Sequence, residues 1–424
     1  MCVEGDDSNL GSSLNSSIDN PGAITRSKRL WMAVVLGSLG AFAPLSIDMY
    51  LPALPILADY FQTSASFIQL SLTFFLLGIS LGQLFAGPIS DIRGRRKPLL
   101  IGLIIYFIVS ILCVFSPSIW TFILLRFIQG LAGSFGMVIS RAIVRDLYSG
   151  IELTKFFALL SLVNGAAPIL APVAGALLLR FIPWQGIFVV LGLIGFIMFF
   201  VVLFGLQETL PAEKRVNAGI KNTLRTFQKL IGDRGFIGYA LSQGLVSATM
   251  FAYISGSPFV VQSIYGASPE TFSLIFALNG IGIMIASQLT GRLSVRFRES
   301  KLMTFGLAMS VFGSLVLLIL LLLEAKLWLI MIPLFFVVSS VGVVNTASFS
   351  LAMQEQGKNA GSAAALLGVL SLSIGGITSP LVGLGGEQSA LPMGLVIAFA
   401  SIGAVLIYVF LVLKKTSQSK KTAS

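Results

Sequence analysis

Twelve apolar runs of spanning length, roughly 20 residues each, leave this chain little freedom in what it can fold into. They fall at about 31–52, 67–87, 98–116, 119–140, 157–179 and 186–207, then at about 236–258, 271–291, 302–323, 327–350, 360–383 and 390–413. In hydrocarbon every backbone N–H and C=O must be satisfied within the protein, so runs of this length form helices that cross a bilayer. The expectation is an all-α membrane protein of twelve transmembrane helices. Charged residues make up 11% of the chain and are nearly excluded from the runs, a distribution that no water-soluble domain shows.

The connectors set the orientation. An even number of crossings puts both termini on one side, and placing them in the cytoplasm leaves only Arg180 and Lys326 in outer loops and Arg126 inside a run. All other Lys and Arg then lie at the inner face, which the positive-inside rule favours. The same distribution argues against nucleic-acid binding, because the net charge of +11 sits in short connectors rather than on one stripe. Residues 1–30 read as a polar cytoplasmic tail, and the first run starts too late and runs too long for a cleaved secretory signal. Residues 414–424 read as a basic cytoplasmic tail. The connector 208–235 carries six basic residues and divides the runs six and six, into bundles at 31–207 and 236–413. Two equal bundles suggest an internal duplication. Gly87, Ser90 and Lys97 recur at a shift of 204 residues as Gly291, Ser294 and Lys301.

Chemistry is sparse. The chain has two cysteines, Cys2 and Cys113, and no histidine, so neither a disulfide framework nor a metal cluster is expected. Proton transfer would fall to carboxylates, and Asp48 is the one carboxylate inside a predicted span. It either titrates within the bundle or sits at the interface, hydrogen-bonded to the chain end before Pro52. Arg126 in the fourth span either faces a cavity or partner, with Asp48 at similar depth, or snorkels to the outer surface. Small residues and Pro168 and Pro172 mark the fifth span as a close-packed, loosened helix. Tyr50, Gln129, Asn164, Gln243, Tyr253, Asn279 and Asn345 are candidates for a substrate cavity, although hydrogen bonding between helices explains them equally well. No G-x-x-x-x-G-K-[ST] loop is present to bind a nucleotide.

Several of these segments resemble known motifs. The loop GPISDIRGRRK (87–97) resembles the signature loop of the major facilitator superfamily, matched at Gly87, Asp91, Gly94, Arg95 and Arg96. The resemblance implies that Asp91 latches the two halves in one conformation, against the start of the eleventh helix or against Arg141 or Arg145. The second copy has Val295 at the acidic position. Arg126, Gln129 and Gly130 resemble the R-x-x-Q-G motif of drug:proton antiporters, in which the arginine assists proton transfer. The fifth span resembles the antiporter motif G-x-x-x-G-P-x-x-G-G at Pro172 and Gly175, with Ala167, Ala171 and Ala176 replacing glycines. The strings IDMYLPALP, SRAIVRDLY and APILAPVAGALL are similar to the Bcr/CflA group of multidrug exporters. This implies two six-helix bundles around a central cavity in a bacterial inner membrane. It also implies monomeric, proton-driven export of drugs or other small lipophilic molecules, with the proton gradient as energy source and no cofactor. A metabolite uptake symporter or facilitator of the same fold stays open. A membrane-embedded enzyme would need a catalytic constellation that the chain does not display, and a receptor that kept the fold without transporting would bind ligand without flux.

Overall fold

The computed structural model describes residues 26–215, 220–354, 356, 360–386 and 388–413; most of the N-terminal tail and the basic tail 414–424 lie outside the described residues. The first half comprises α1 (Arg26–Gly40), α2 (Phe42–Asp48), α3 (Leu54–Phe61), α4 (Ala65–Arg93), α5 (Arg96–Val114), α6 (Ile119–Leu147), α7 (Gly150–Leu179) and α8 (Gln185–Gly205). After α9 (Ile220–Gly232), the second half comprises α10 (Arg234–Pro258), α11 (Pro269–Leu293), α12 (Glu299–Leu322), α13 (Leu327–Met353), α14 (Ala360–Val382) and α15 (Leu391–Ile407). Among the described residues eleven helices are long and apolar enough to cross a membrane, and a pair bent by 46° at Ala41 makes a twelfth span.

That bent span departs from the straight helix expected at 31–52. Pro44, Pro52 and Pro55 each remove a backbone N–H, and the chain turns through a short 3₁₀ segment at Leu51–Ala53 before α3. The connector also differs from expectation, since α9 forms inside it. Phe227 and Leu230, one turn apart, are buried against Phe236, Leu366 and Leu367, and this anchors α9 to the second half.

The internal repeat is written into the packing. In the first half α4 lies along α6, and α5 contacts both α6 and α8; in the second, α11 lies along α13, and α12 contacts both α13 and α15. Gly78 on α4 and Gly282 on α11, again 204 residues apart, sit where these helix pairs touch, against Phe127 and Phe335 respectively.

The halves meet through α4 against α14 and α7 against α11. Ser66 Oγ donates to the Pro380 carbonyl (3.2 Å), Gln69 Nε2 to Ser255 (3.0 Å) and Thr73 Oγ1 to Gly376 (2.8 Å). Gln262 donates to Pro52, Ser273 to Pro172, and Arg180 pairs with Glu270. All these links lie toward the ends of the helices remote from the chain termini. The Gly376 carbonyl is free for Thr73 because residue 380, four positions on, is proline and has no N–H to offer. Gln69→Leu combined with Thr73→Val is expected to loosen this end. Each lost hydrogen bond is worth about 1 kcal/mol, so the open population should rise about tenfold or more. Spin-label distances across the Arg180–Glu270 end report it, and an unchanged distribution would show that these bonds do not hold the halves together.

Candidate functional site

Between the halves lies a cavity of about 470 Å³. Ala43, Pro44, Ile47 and Asp48 of α2 and Asn164, Gly165 and Pro168 of α7 form one wall; Tyr253 of α10 and Phe276, Asn279 and Met284 of α11 stand on the other. Asp48 is 3% exposed and is the only buried carboxylate among the described residues. Its Oδ1 has no hydrogen-bond partner. The fifth-span motif explains how α2 reaches this place. Gly175 leaves room for the Met49 carbonyl immediately beyond Asp48, which any side chain there would displace, and Ala171, one turn earlier, is small and buried. Pro172 supplies the carbonyl that Ser273 of the other half grips at 2.9 Å. Pro168 and Pro172 also leave the carbonyls of Asn164 and Pro168 without the amide donor four residues on.

Arg126 is fully buried and does not snorkel. Its guanidinium lies 4.3 Å from the Tyr50 ring centroid, 4.2 Å from Phe75 and 5.6 Å from Phe188. It donates to the Gln129 side chain and, at 2.9 Å, to the Ser46 carbonyl, while Nε has no partner. No ion pair joins it to Asp48, contrary to the expected meeting of the two. The reason is helical geometry: side chains two apart point about 200° apart, and Ser46, whose hydroxyl meets Tyr106 inside the first half and whose carbonyl takes Arg126, lies on the face of α2 away from the cavity that Asp48 lines.

Of the polar cavity candidates, Asn164, Tyr253 and Asn279 line it, and Tyr50, Gln129, Gln243 and Asn345 do not. Tyr50 is fully buried beside Ser71 (3.3 Å), and Gln129 donates to Ser110 (2.7 Å), so both knit the first half together. Gln243 donates to Ser371 at 3.3 Å between α10 and α14. Asn345 keeps a buried Oδ1 without a partner on α13. In an apolar bundle a polar side chain is used for helix contact as readily as for ligand contact, and its residue type does not say which.

The family model for the Major Facilitator Superfamily matches residues 36–380. The chain belongs to the major facilitator superfamily. It is 43% identical to the MFS-type transporter YdgK of Bacillus subtilis (strain 168), over 93% of this chain and 98% of that protein. It is 29% identical to a bicyclomycin resistance protein homolog of Haemophilus influenzae, over 89% of this chain and 95% of that one. In fold it matches the xylose transporter XylE from E. coli in a partially occluded inward open conformation, with a TM-score of 0.70 and 14% identity, covering 91% of this chain and 98% of that one. Membership makes the protein a multi-pass membrane transporter of small molecules and not an enzyme.

The superfamily motif expected as a loop at 87–97 lies mostly on the last turns of α4, which runs to Arg93, and only Gly94 and Arg95 separate it from α5; the motif is held inside the first half. Arg95 ion-pairs with Asp91 and, at 2.8 Å, with Asp146 at the end of α6, and it donates to Ser90. Asp91, expected to latch the halves, sits on the last turn of α4, engaged by Arg95 and half exposed. The links between the halves lie at the opposite end in this conformation. Gly94 adopts φ +86°, and the Glu208 carboxylate fills the space a Cβ would need. The Gly87 carbonyl, within α4, accepts from Ser90 Oγ (2.8 Å), and Arg96 reaches the Leu203 carbonyl.

Glu208 was not singled out by the sequence. It accepts from the backbone N–H groups of Arg95 (2.8 Å), Leu210 (3.0 Å) and Arg96 (3.2 Å), so it docks the connector on the N-terminus of α5. Partial burial alone would raise its carboxyl, but these three donors, with Arg215 nearby, hold it below the ordinary glutamate value. A depressed folded-state pKa stabilises docking above the unfolded value and loses that contribution as pH falls through the lower folded one. Docking should therefore persist from pH 7 to 5 and fail only below the ordinary glutamate value of 4.5. Glu208→Gln should speed hydrogen exchange at the Arg95 and Arg96 amides at neutral pH. Equal rates in the two proteins would show that the carboxylate does not hold the loop.

Proposed function

We propose that the protein is a proton-driven antiporter that exports drugs or other small lipophilic molecules by alternating access. One observation carries the reading: a buried carboxylate, Asp48, has an unpartnered oxygen at the wall of a substrate-sized cavity between two halves tied at one end only by weak links. The resistance protein homolog among its relatives and the antiporter-like motifs at Arg126, Gln129 and Pro172 support export. With both termini in the cytoplasm of a bacterial inner membrane, the tied end faces outward and the cavity loads from inside.

A substrate enters while Asp48 is ionised. The halves then rock so that the outer links break, and a proton arriving from outside neutralises Asp48 and weakens its hold on the substrate. Return of the proton to the cytoplasm resets the site. Arg126 acts from behind α2 by holding Ser46 and Tyr50 rather than by pairing with Asp48. Asp91 and its loop govern the cycle from the cytoplasmic end. The proton gradient supplies the energy, no cofactor is needed, and one chain suffices.

The test uses purified protein in liposomes with an imposed pH gradient and an internal pH dye. Addition of lipophilic antibiotics and dyes should produce substrate-dependent proton movement opposite to substrate flux. Co-directional movement would favour an uptake symporter, and flux without proton movement a facilitator.

A further inference from the structure

We infer that Tyr253 and Asn279 form a hydrogen-bond donor pair that selects, from the wall opposite Asp48, substrates carrying a carbonyl-type acceptor. The inference rests on the exporter reading for what the cavity holds, and it names the chemistry of that cargo.

The two walls differ in charge, since only the first carries a carboxylate. The first-half wall offers the Asp48 oxygen without a partner, together with the side-chain amide of Asn164. The second-half wall is apolar around Met250 and Phe251 apart from Ser287, Gln288, Tyr253 and Asn279, of which only Tyr253 and Asn279 are buried. These two are 2% and 3% exposed. Burial of such groups is costly unless their hydrogen-bonding capacity is used.

Their geometry uses only part of it. Asn279 Nδ2 donates to the Tyr253 hydroxyl at 2.8 Å, and the Tyr253 ring stacks on Phe276 one turn before Asn279, with centroids 5.5 Å apart and planes 18° from parallel. The stack and the bond together fix the hydroxyl. With the amide in this orientation the tyrosine oxygen accepts from Asn279, and its own hydrogen remains to donate to a ligand, in competition with the neighbouring Ser257 hydroxyl. If the amide is turned over, the tyrosine donates and the Asn279 amino group keeps its hydrogens. Either arrangement presents a donor from the second wall.

A ligand that bridges the walls must therefore offer a donor or positive charge to Asp48 and an acceptor to the Tyr253–Asn279 pair, with an apolar middle between them. About 470 Å³ fits a small drug-like molecule of this pattern. A purely hydrocarbon-clad cation can use only the first wall.

Binding to the purified full-length protein separates the two classes. Chloramphenicol, uncharged, carries hydroxyl and amide donors and amide and nitro acceptors; ethidium is a lipophilic cation with amine donors and no oxygen acceptor. In Tyr253→Phe/Asn279→Leu the affinity for chloramphenicol should fall about tenfold, as expected for a lost hydrogen bond in a buried site, while ethidium binding is unchanged and certifies the fold. Tyr253→Phe alone keeps the ring stack and leaves the amide able to donate, so its loss should be smaller and again confined to chloramphenicol. Equal loss of both ligands would reduce the pair to packing and overturn the inference, as would no loss of either. Wild-type protein that binds neither compound would overturn it together with the exporter reading. Selective loss in a protein that moves both compounds without protons would uphold it and sink antiport alone.

Discussion

Asp48→Asn is expected to reduce substrate-dependent proton movement to that of empty liposomes while the protein still inserts and folds. Asparagine has nearly the shape of the protonated acid, so the end of α2 and its contact with Gly175 should persist. What disappears is the change of charge. A carboxylate with an unpartnered oxygen in a buried site is costly when ionised, so its protonation is governed by water access and by what occupies the cavity. The amide cannot alternate between these states, and the variant should be fixed as if permanently protonated. Downhill exchange of substrate across the membrane should survive, which distinguishes loss of coupling from loss of the protein. Wild-type proton-coupled export by Asp48→Asn would remove Asp48 from the mechanism.

The second large effect is expected at Arg126. Its guanidinium is enclosed by Tyr50, Phe75 and Phe188 and bonded to Ser46 and Gln129, an arrangement suited to a flat cation with several donors. Arg126→Ala strands two acceptors in the bundle and should lower stability by about 3 kcal/mol, the worth of two charge-assisted hydrogen bonds. A fall in the detergent melting temperature would register it. Arg126→Lys keeps the charge but not the plane or the fork, so transport should fall about tenfold if each lost contact is worth about 1 kcal/mol. Lysine transporting as well as arginine would show that charge alone is required.

The twelve spans were legible because a bilayer imposes a length and an apolar composition that each run must meet on its own. The same holds for Gly94 in its loop, where a positive φ is a local requirement of the turn, and for the repeat carried by Gly87 and Gly291. Other features depended on neighbours far along the chain. Glu208 reads as an ordinary acid in a connector until α5 is seen to begin beside it. Tyr50 and Gln129 carry the same polar chemistry as Tyr253 and Asn279, yet the first two brace helices and the last two face the cavity. Asp48 and Arg126 share a depth in the membrane, which the linear pattern reveals, but not a face of α2, which it does not. Bilayer depth and helix existence follow from hydrophobic free energy summed along one segment. Which side of a helix meets protein, lipid or an empty cavity is set by how all the helices pack at once, and that only the tertiary structure decided.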